Sequence, residues 1–100
     1  MSDQTVQLRR YKLVPEERAA FLEWWRREIP PARGTFGFEV LFGYLVPETD
    51  EFVWAVAHEG DVDAFRAAEQ EYNGSPERAA AFAGQPNRVK EMLVHLVEVV

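Results

Sequence analysis

One hundred residues suit a single domain spanning 1–100, because domains most often run about 100–150 residues, and 47% hydrophobic with 28% charged residues is the make-up of an ordinary globular chain. With no cysteine, disulfides and thiolate metal sites are excluded, and a formal charge of −6 disfavours nucleic acid, whose phosphates need a basic field. The start, MSDQTVQLRR, lacks the apolar core of a signal peptide, and no apolar run approaches the ~20 residues of a membrane span, so the expectation is a cytoplasmic protein without membrane or nucleic-acid partners.

TVQLRRYKL, Thr5 to Leu13, alternates roughly and is rich in β-branched and aromatic residues, which predicts a first strand. Pro15 suits the first position of a helix, and Glu16 and Glu17 complement its dipole. Phe21, Leu22, Trp25 and Ile29 then recur at three- and four-residue spacing, the apolar stripe of an amphipathic helix. Pro30-Pro31 is expected to end it, since neither residue can donate a backbone hydrogen bond.

From Thr35 to Val46 the period becomes two, which places Phe36, Phe38, Val40, Phe42, Tyr44 and Val46 on one strand face. Pro47-Glu48-Thr49-Asp50 reads as a turn into a third strand, Phe52 to His58, and the pair as a β-hairpin. Asp61 can cap a second helix with Val62, Phe65, Ala68 and Tyr72 inward. Asn73-Gly74 is expected to close that helix in the left-handed conformation. Ser75-Pro76-Glu77 starts a short helix, Gly84 to Asn87 is loop, and MLVHLVEVV, Met92 to Val100, is a last strand.

The order strand, helix, strand, strand, helix, strand predicts the α+β, ferredoxin-like βαββαβ sandwich, a four-stranded antiparallel sheet with helices on one face. The other face should then be polar, yet both faces of the strands are largely apolar. Val53, Ala55 and Ala57 oppose Phe52, Trp54 and Val56, and Leu93 and Val97 oppose Met92, Val94 and Leu96. A second sheet from another copy of the chain is the economical cover, so a homodimer is expected.

The chain carries an ordered set of features. They are LRRY at Leu8 to Tyr11, a tryptophan-bearing helix, a glycine-containing second strand and FVW at Phe52 to Trp54. An aspartate then opens the second helix, and Y-x-x-SPE follows at Tyr72 to Glu77. Together, over Val6 to Arg78, this resembles the NIPSNAP family of the dimeric α+β barrel superfamily. The resemblance implies two ferredoxin-like units whose sheets associate into a barrel, with pockets between sheet and helices. Related barrel families include cofactor-independent monooxygenases, haem-degrading enzymes and muconolactone isomerase-like proteins. None of their catalytic residues transfers to a position of this sequence.

Two catalytic candidates emerge from the residues. His58, at the end of an apolar strand and on the same face as Trp54 and Phe52, has the chemistry of a general base. Tyr11 is the second proton-handling candidate. Trp54, Trp24 and Tyr44 are candidates to pack a flat organic molecule, and Arg10 to hold an anionic group. Against these stand ordinary roles: a strand-end histidine, core tryptophans, an interface tyrosine. His95, among apolar residues, reads as a core or interface histidine, and Glu39 as a mid-strand acid paired with Arg9 or Arg10. Two histidines without flanking ligands make no zinc site, so neither a metal nor an organic cofactor is expected. The expected function is binding of a small hydrophobic or aromatic metabolite, with monooxygenase- or isomerase-type activity independent of cofactors. The alternative is a non-catalytic binding or assembly module.

Overall fold

The computed structural model describes residues 3–100. β1 (Gln4–Leu13) leads through a 3-10 turn at Pro15–Glu17 into α1 (Arg18–Gly34). There follow β2 (Phe38–Val46), β3 (Glu51–Glu59), α2 (Val62–Asn73), α3 (Pro76–Phe82) and β4 (Val89–Val97). The strands lie in the order β2-β3-β1-β4, each neighbouring pair antiparallel. This is the expected ferredoxin-like βαββαβ fold, with an additional short helix before the last strand.

Register decides which side each residue takes, because residues directly opposite in a ladder point to the same face. Thr5, Gln7, Arg9 and Tyr11 of β1 stand opposite His58, Val56, Trp54 and Phe52 of β3. This is the side the helices cover, where Leu13, Phe21, Trp25, Ile29, Phe52, Trp54, Val56, Phe65 and Tyr72 form the main core. In α1 the buried residues Phe21, Trp24, Trp25, Ile29, Ala32 and Arg33 all turn inward. The N-caps are those the sequence predicts: Asp61 accepts from Ala64 N at 3.0 Å, and Ser75 Oγ accepts from Arg78 N at 3.1 Å.

Several boundaries differ from expectation. Pro30 and Pro31 lie inside α1, which runs on to Gly34. The carbonyls they leave without a helical partner belong to the exposed Arg26 and Arg27, where water can serve them, and the added turn buries Ala32 and Arg33. Gly74 ends α2 at φ −95°, outside the left-handed region, with its N–H bonded back to Gln70 O at 3.2 Å. The last strand starts at Val89 and stops at Val97, because its last partner on β1 is Val6. Glu39 is exposed on the edge strand β2, while Arg9 and Arg10 bond other partners.

The largest departure is in β2. Val40 stands opposite Val56 but Phe42 opposite Ala55, so Leu41 is an extra residue, a β-bulge. The expected six-residue face is therefore cut in two. Phe38 and Val40 face the helices; beyond the bulge Gly43 and Leu45 do so, and Phe42, Tyr44 and Val46 turn to the open side. Gly43 now lies under α1, where a Cβ would sit 2.8 Å from Trp25 Cη2 and 2.9 Å from Phe52 Cζ.

Among the described residues no helix covers the open face. Val6, Ala55 and Ala57 form a small buried cluster there with Leu8 and Phe42, and the rings of Phe42 and Tyr44 stack at 4.8 Å. Around it Tyr44 is 64% exposed and Leu93 58%. On the same face Arg10 grips Glu51 through both carboxylate oxygens, at 2.8 and 3.1 Å.

Two predictions follow from this packing. Gly43→Val should lower stability by about 1–3 kcal/mol, the usual cost of overpacking, because both aromatic rings must move; an unchanged urea midpoint would refute the close approach. The second concerns acid. The Arg10 guanidinium, helped by the Thr49 hydroxyl, holds the Glu51 carboxyl at about 2, below its ordinary 4.5. A depressed carboxylate stabilises the fold above about 4.5, and that contribution is lost as pH falls toward about 2. Wild type should therefore outlast Glu51→Gln in urea at pH 7, by a small margin because the pair is exposed, and the two should converge near pH 2.

Candidate functional site

Between the helix side of the sheet and α1 lies a cavity of about 160 Å³. Its floor is Tyr11 and Trp54 of the central strands, and its roof is Phe21, Trp24, Trp25 and Ile29 of α1 with Phe82 of α3. Edge-to-face contacts hold these rings. Tyr11 and Trp54 lie 6.1 Å apart, Trp25 and Trp54 5.4 Å, and Trp24 and Phe82 4.9 Å between centroids. Trp24, off the expected stripe of α1, has a specific role. Its buried Nε1 donates to Ala81 O at 2.8 Å and ties α3 to α1. A second hollow of about 310 Å³ shares Phe21, Trp24, Phe82, Asn87 and Val89 with the first and extends beneath Gln85 to Arg88.

The polar groups converge at the other end. Arg9 Nε donates to the Tyr11 hydroxyl oxygen at 2.8 Å and Arg9 Nη1 to Gln7 Oε1 at 2.7 Å. The Tyr11 oxygen is thus occupied as an acceptor, while its own proton remains free to be donated. Arg33, 4% exposed, inserts its guanidinium among three rings, 4.3 Å from the Tyr72 centroid, 5.0 Å from Phe38 and 5.6 Å from Trp54. Its Nε and Nη1 are buried without a hydrogen-bond partner, as are Nε1 of Trp25 and of Trp54. Burial pushes the Arg33 guanidinium below its ordinary value, and the neighbouring Arg9 charge adds to that. Burial also pushes the Tyr72 phenol up, opposed by Arg33, so Tyr72 stays protonated.

Of the residues expected from sequence, the structure brings Tyr11, Trp54 and Trp24 together at this cavity. It places three elsewhere. His58 lies at the far end of β3, with Nδ1 2.7 Å from Glu59 O, Nε2 3.2 Å from Phe36 O and its ring against Phe38. It lines a separate shallow hollow with Gly37 and Glu39. Tyr44 and Arg10 sit on the open sheet face, Tyr44 because the Leu41 bulge reverses the parity of β2, Arg10 because it is one residue out of phase with Tyr11. His95, opposite Leu8, is exposed on that face too.

Sequence reasoning missed Arg9 and Arg33. Arg9 shares the parity of Tyr11 and Leu13, so strict alternation would have found it. Arg33 continues the four-residue spacing Phe21, Trp25, Ile29 and was hidden by the expectation that Pro30 ends the helix. Among the described residues no group of three or more His, Asp or Glu side chains is placed to hold a metal ion, and no helix is long and apolar enough to cross a membrane.

No family model matches the chain, and no curated protein does. Solved structures do. An uncharacterised NIPSNAP domain protein from Burkholderia xenovorans superposes with a TM-score of 0.82 at 12% identity, over 96% of this chain and 94% of that one. A NIPSNAP family protein from Agrobacterium tumefaciens gives 0.83 at 8% identity, over 97% and 93%. A putative antibiotic biosynthesis monooxygenase from Nitrosomonas europaea gives 0.73 at 11% identity, over 100% and 93%. The likeness read from the sequence thus holds as a likeness of fold: this chain has the α+β fold of the NIPSNAP structures, shared with the monooxygenase-type proteins.

Proposed function

We propose that two copies of this chain associate through their open sheet faces into an α+β barrel, and that the sheet–helix cavity of each binds a small aromatic or hydrophobic metabolite. The observation that carries the binding reading is the cavity itself. Aromatic side chains wall it, Tyr11 and the side chains of Arg9, Arg33 and Arg78 add polar groups to the lining, and this mixture of apolar walls and few polar groups is how small-molecule sites are built. The dimer is supported by the exposure of Tyr44, Leu93 and Val97 beside the cluster of Val6, Ala55 and Ala57. Apolar area removed from water there gains roughly 25 cal/mol per Å².

Binding is the function the geometry supports best, and turnover is a second reading. Oxygenation or isomerisation without a cofactor draws support from the Tyr11 hydroxyl, held by Arg9 with its proton free, beside the Arg33 charge. Such a pair would stabilise negative charge developing on a bound carbonyl or phenol. It also draws on the fold likeness to the putative antibiotic biosynthesis monooxygenase. No carboxylate or histidine lines the cavity to act as a base, which favours binding without turnover.

Three outcomes are expected. Light scattering at micromolar concentration should give twice the chain mass of 11.5 kDa, and Leu93→Glu should halve it; a monomeric wild type would overturn the barrel. Calorimetric titration with single-ring compounds, neutral and acidic, should show saturable binding that Met92→Trp weakens tenfold or more. Met92 is half exposed at the rim of the cavity, so the larger ring can enter it without unfolding the core. Equal affinity in wild type and variant would remove the cavity as the site. Once a substrate is in hand, Tyr11→Phe should retain binding and lose turnover, whereas His58→Ala should alter neither.

A further inference from the structure

The cavity's charge runs against that of the chain. The formal charge is −6, yet Arg9, Arg33 and Arg78 line the cavity and no Asp or Glu does. Glu69 is the one carboxylate near Arg9 and Arg33, and it is divided between them. Its Oε2 lies 3.7 Å from Arg9 Nη1 and 3.8 Å from Arg33 Nη1, too far for a hydrogen bond to either. Two guanidiniums therefore share one loosely held counter-charge.

Arg33 is the more demanding of the two. The Arg33 side chain is 5% exposed, against 14% for Arg9. The rings of Tyr72, Phe38 and Trp54 crowd around its guanidinium, an attraction of charge for π-face. Ring faces do not accept hydrogen bonds as oxygen lone pairs do, so Nε and Nη1 remain unpartnered. A buried charge whose one counter-charge is shared and too distant for a hydrogen bond is costly to hold, and burial already pushes this guanidinium below its ordinary value. What would complete the arrangement is an anion with oxygen acceptors, one small enough to share the space with the aromatic walls.

Size narrows the choice. A cavity of about 160 Å³ compares with the ~150 Å³ apolar cavity that accepts one benzene. We infer that the ligand is a single-ring aromatic carboxylate, its carboxylate taken by Arg33 with Arg9 beside it, and its ring held among Tyr11, Trp24, Trp54 and Phe21. The inference rests on the metabolite-binding reading above and specifies the charge and ring count of its ligand.

The test uses three probes on the full chain by titration calorimetry: benzoate, the neutral ring benzyl alcohol, and acetate. Benzoate should bind at least tenfold more tightly than either of the others. In Arg33→Met that preference should collapse, with benzoate and benzyl alcohol binding alike. Arg9→Gln, a change at a less buried position, should reduce the preference severalfold and serves should Arg33→Met not fold. Thermal unfolding supplies the readout that a merely structural arginine would not give. Benzoate should raise the midpoint of wild type and not that of Arg33→Met, whose own midpoint should equal or exceed that of unliganded wild type. Benzyl alcohol binding as tightly as benzoate would overturn the anion while leaving the metabolite-binding reading intact. Acetate matching benzoate would overturn the ring. If no probe binds at millimolar concentration, the metabolite-binding reading falls with the inference. A preference for benzoate that survives both arginine substitutions would overturn the assignment of its carboxylate.

Discussion

The pairing of Arg9 with Trp54 across the two central strands sets the terms for the rest of the molecule. A ladder fixes parity: once these two face the helices, so do Gln7, Tyr11, Phe52 and Val56, while Leu8, Arg10, Val53 and Ala55 face away. β3 is apolar on both sides, with Phe52, Trp54 and Val56 on one and Val53, Ala55 and Ala57 on the other, so one sheet must satisfy two apolar surfaces with helices on only one. The covered side gains the main core, with Leu13 and Val56 fully buried. It also gains a cationic side chain, Arg9, which the same parity carries under α1 with the tyrosine it serves. The slip of one residue that would have turned Arg9 outward would also have turned Tyr11 out of the core.

Two irregularities adapt this frame. The bulge at Leu41 lets β2 contribute Phe38 and Val40 to the helix side at one end and Phe42 and Tyr44 to the open side at the other. Gly43 is its necessary companion, since the reversal places that residue where Trp25 and Phe52 leave no room for a side chain. The second irregularity is the passage of α1 through Pro30 and Pro31. Without the extra turn, Ala32 and Arg33 would belong to the loop before β2, and the ring cluster of Tyr72, Phe38 and Trp54 would lack its cation. The second device places Arg33 in the cavity lining, and neither alters the order of the elements.

That explains how much was legible in the sequence. Element order follows from changes of hydrophobic period and from caps such as Asp61 and Ser75, which are local signals, and the local signals were consistent with one another. The aromatic members of the site were legible for the same reason: Tyr11 and Trp54 sit on strands whose alternation is clear. Which face Arg10 and Tyr44 take is a matter of parity, and parity is set by partners distant in sequence. Nothing within TFGFEVLFGYLV marks Leu41 as the extra residue. The clue is the need to bring Gly43 beneath Trp25, which only the packed structure reveals. His58 drew attention because histidine is rare here and chemically versatile. Its ring nitrogens face the backbone carbonyls of Phe36 and Glu59, away from the cavity under α1.

The two apolar surfaces left by this packing are of different kinds. On the open face the unsatisfied quantity is area: Tyr44 and Leu93 are exposed but carry no orphaned polar atom among the buried groups, and any flat apolar surface of matching outline would cover them. A second copy of the same sheet is such a surface, and no chemistry is needed to specify it. In the cavity the unsatisfied quantity is polar. Four side-chain nitrogens, on Trp25, Trp54 and Arg33, are buried without acceptors, and closing the cavity by packing alone would leave them so. Apolar filling would relieve the void and leave the Arg33 charge with only its long, shared contact to Glu69. A molecule that carries an anionic group into the cavity would relieve both, since Arg9, Arg33 and Arg78 line it and no carboxylate does. That the chain keeps a guanidinium there, and spends an extra helical turn across two prolines to bury it, is the strongest structural reason to regard the cavity as a binding site.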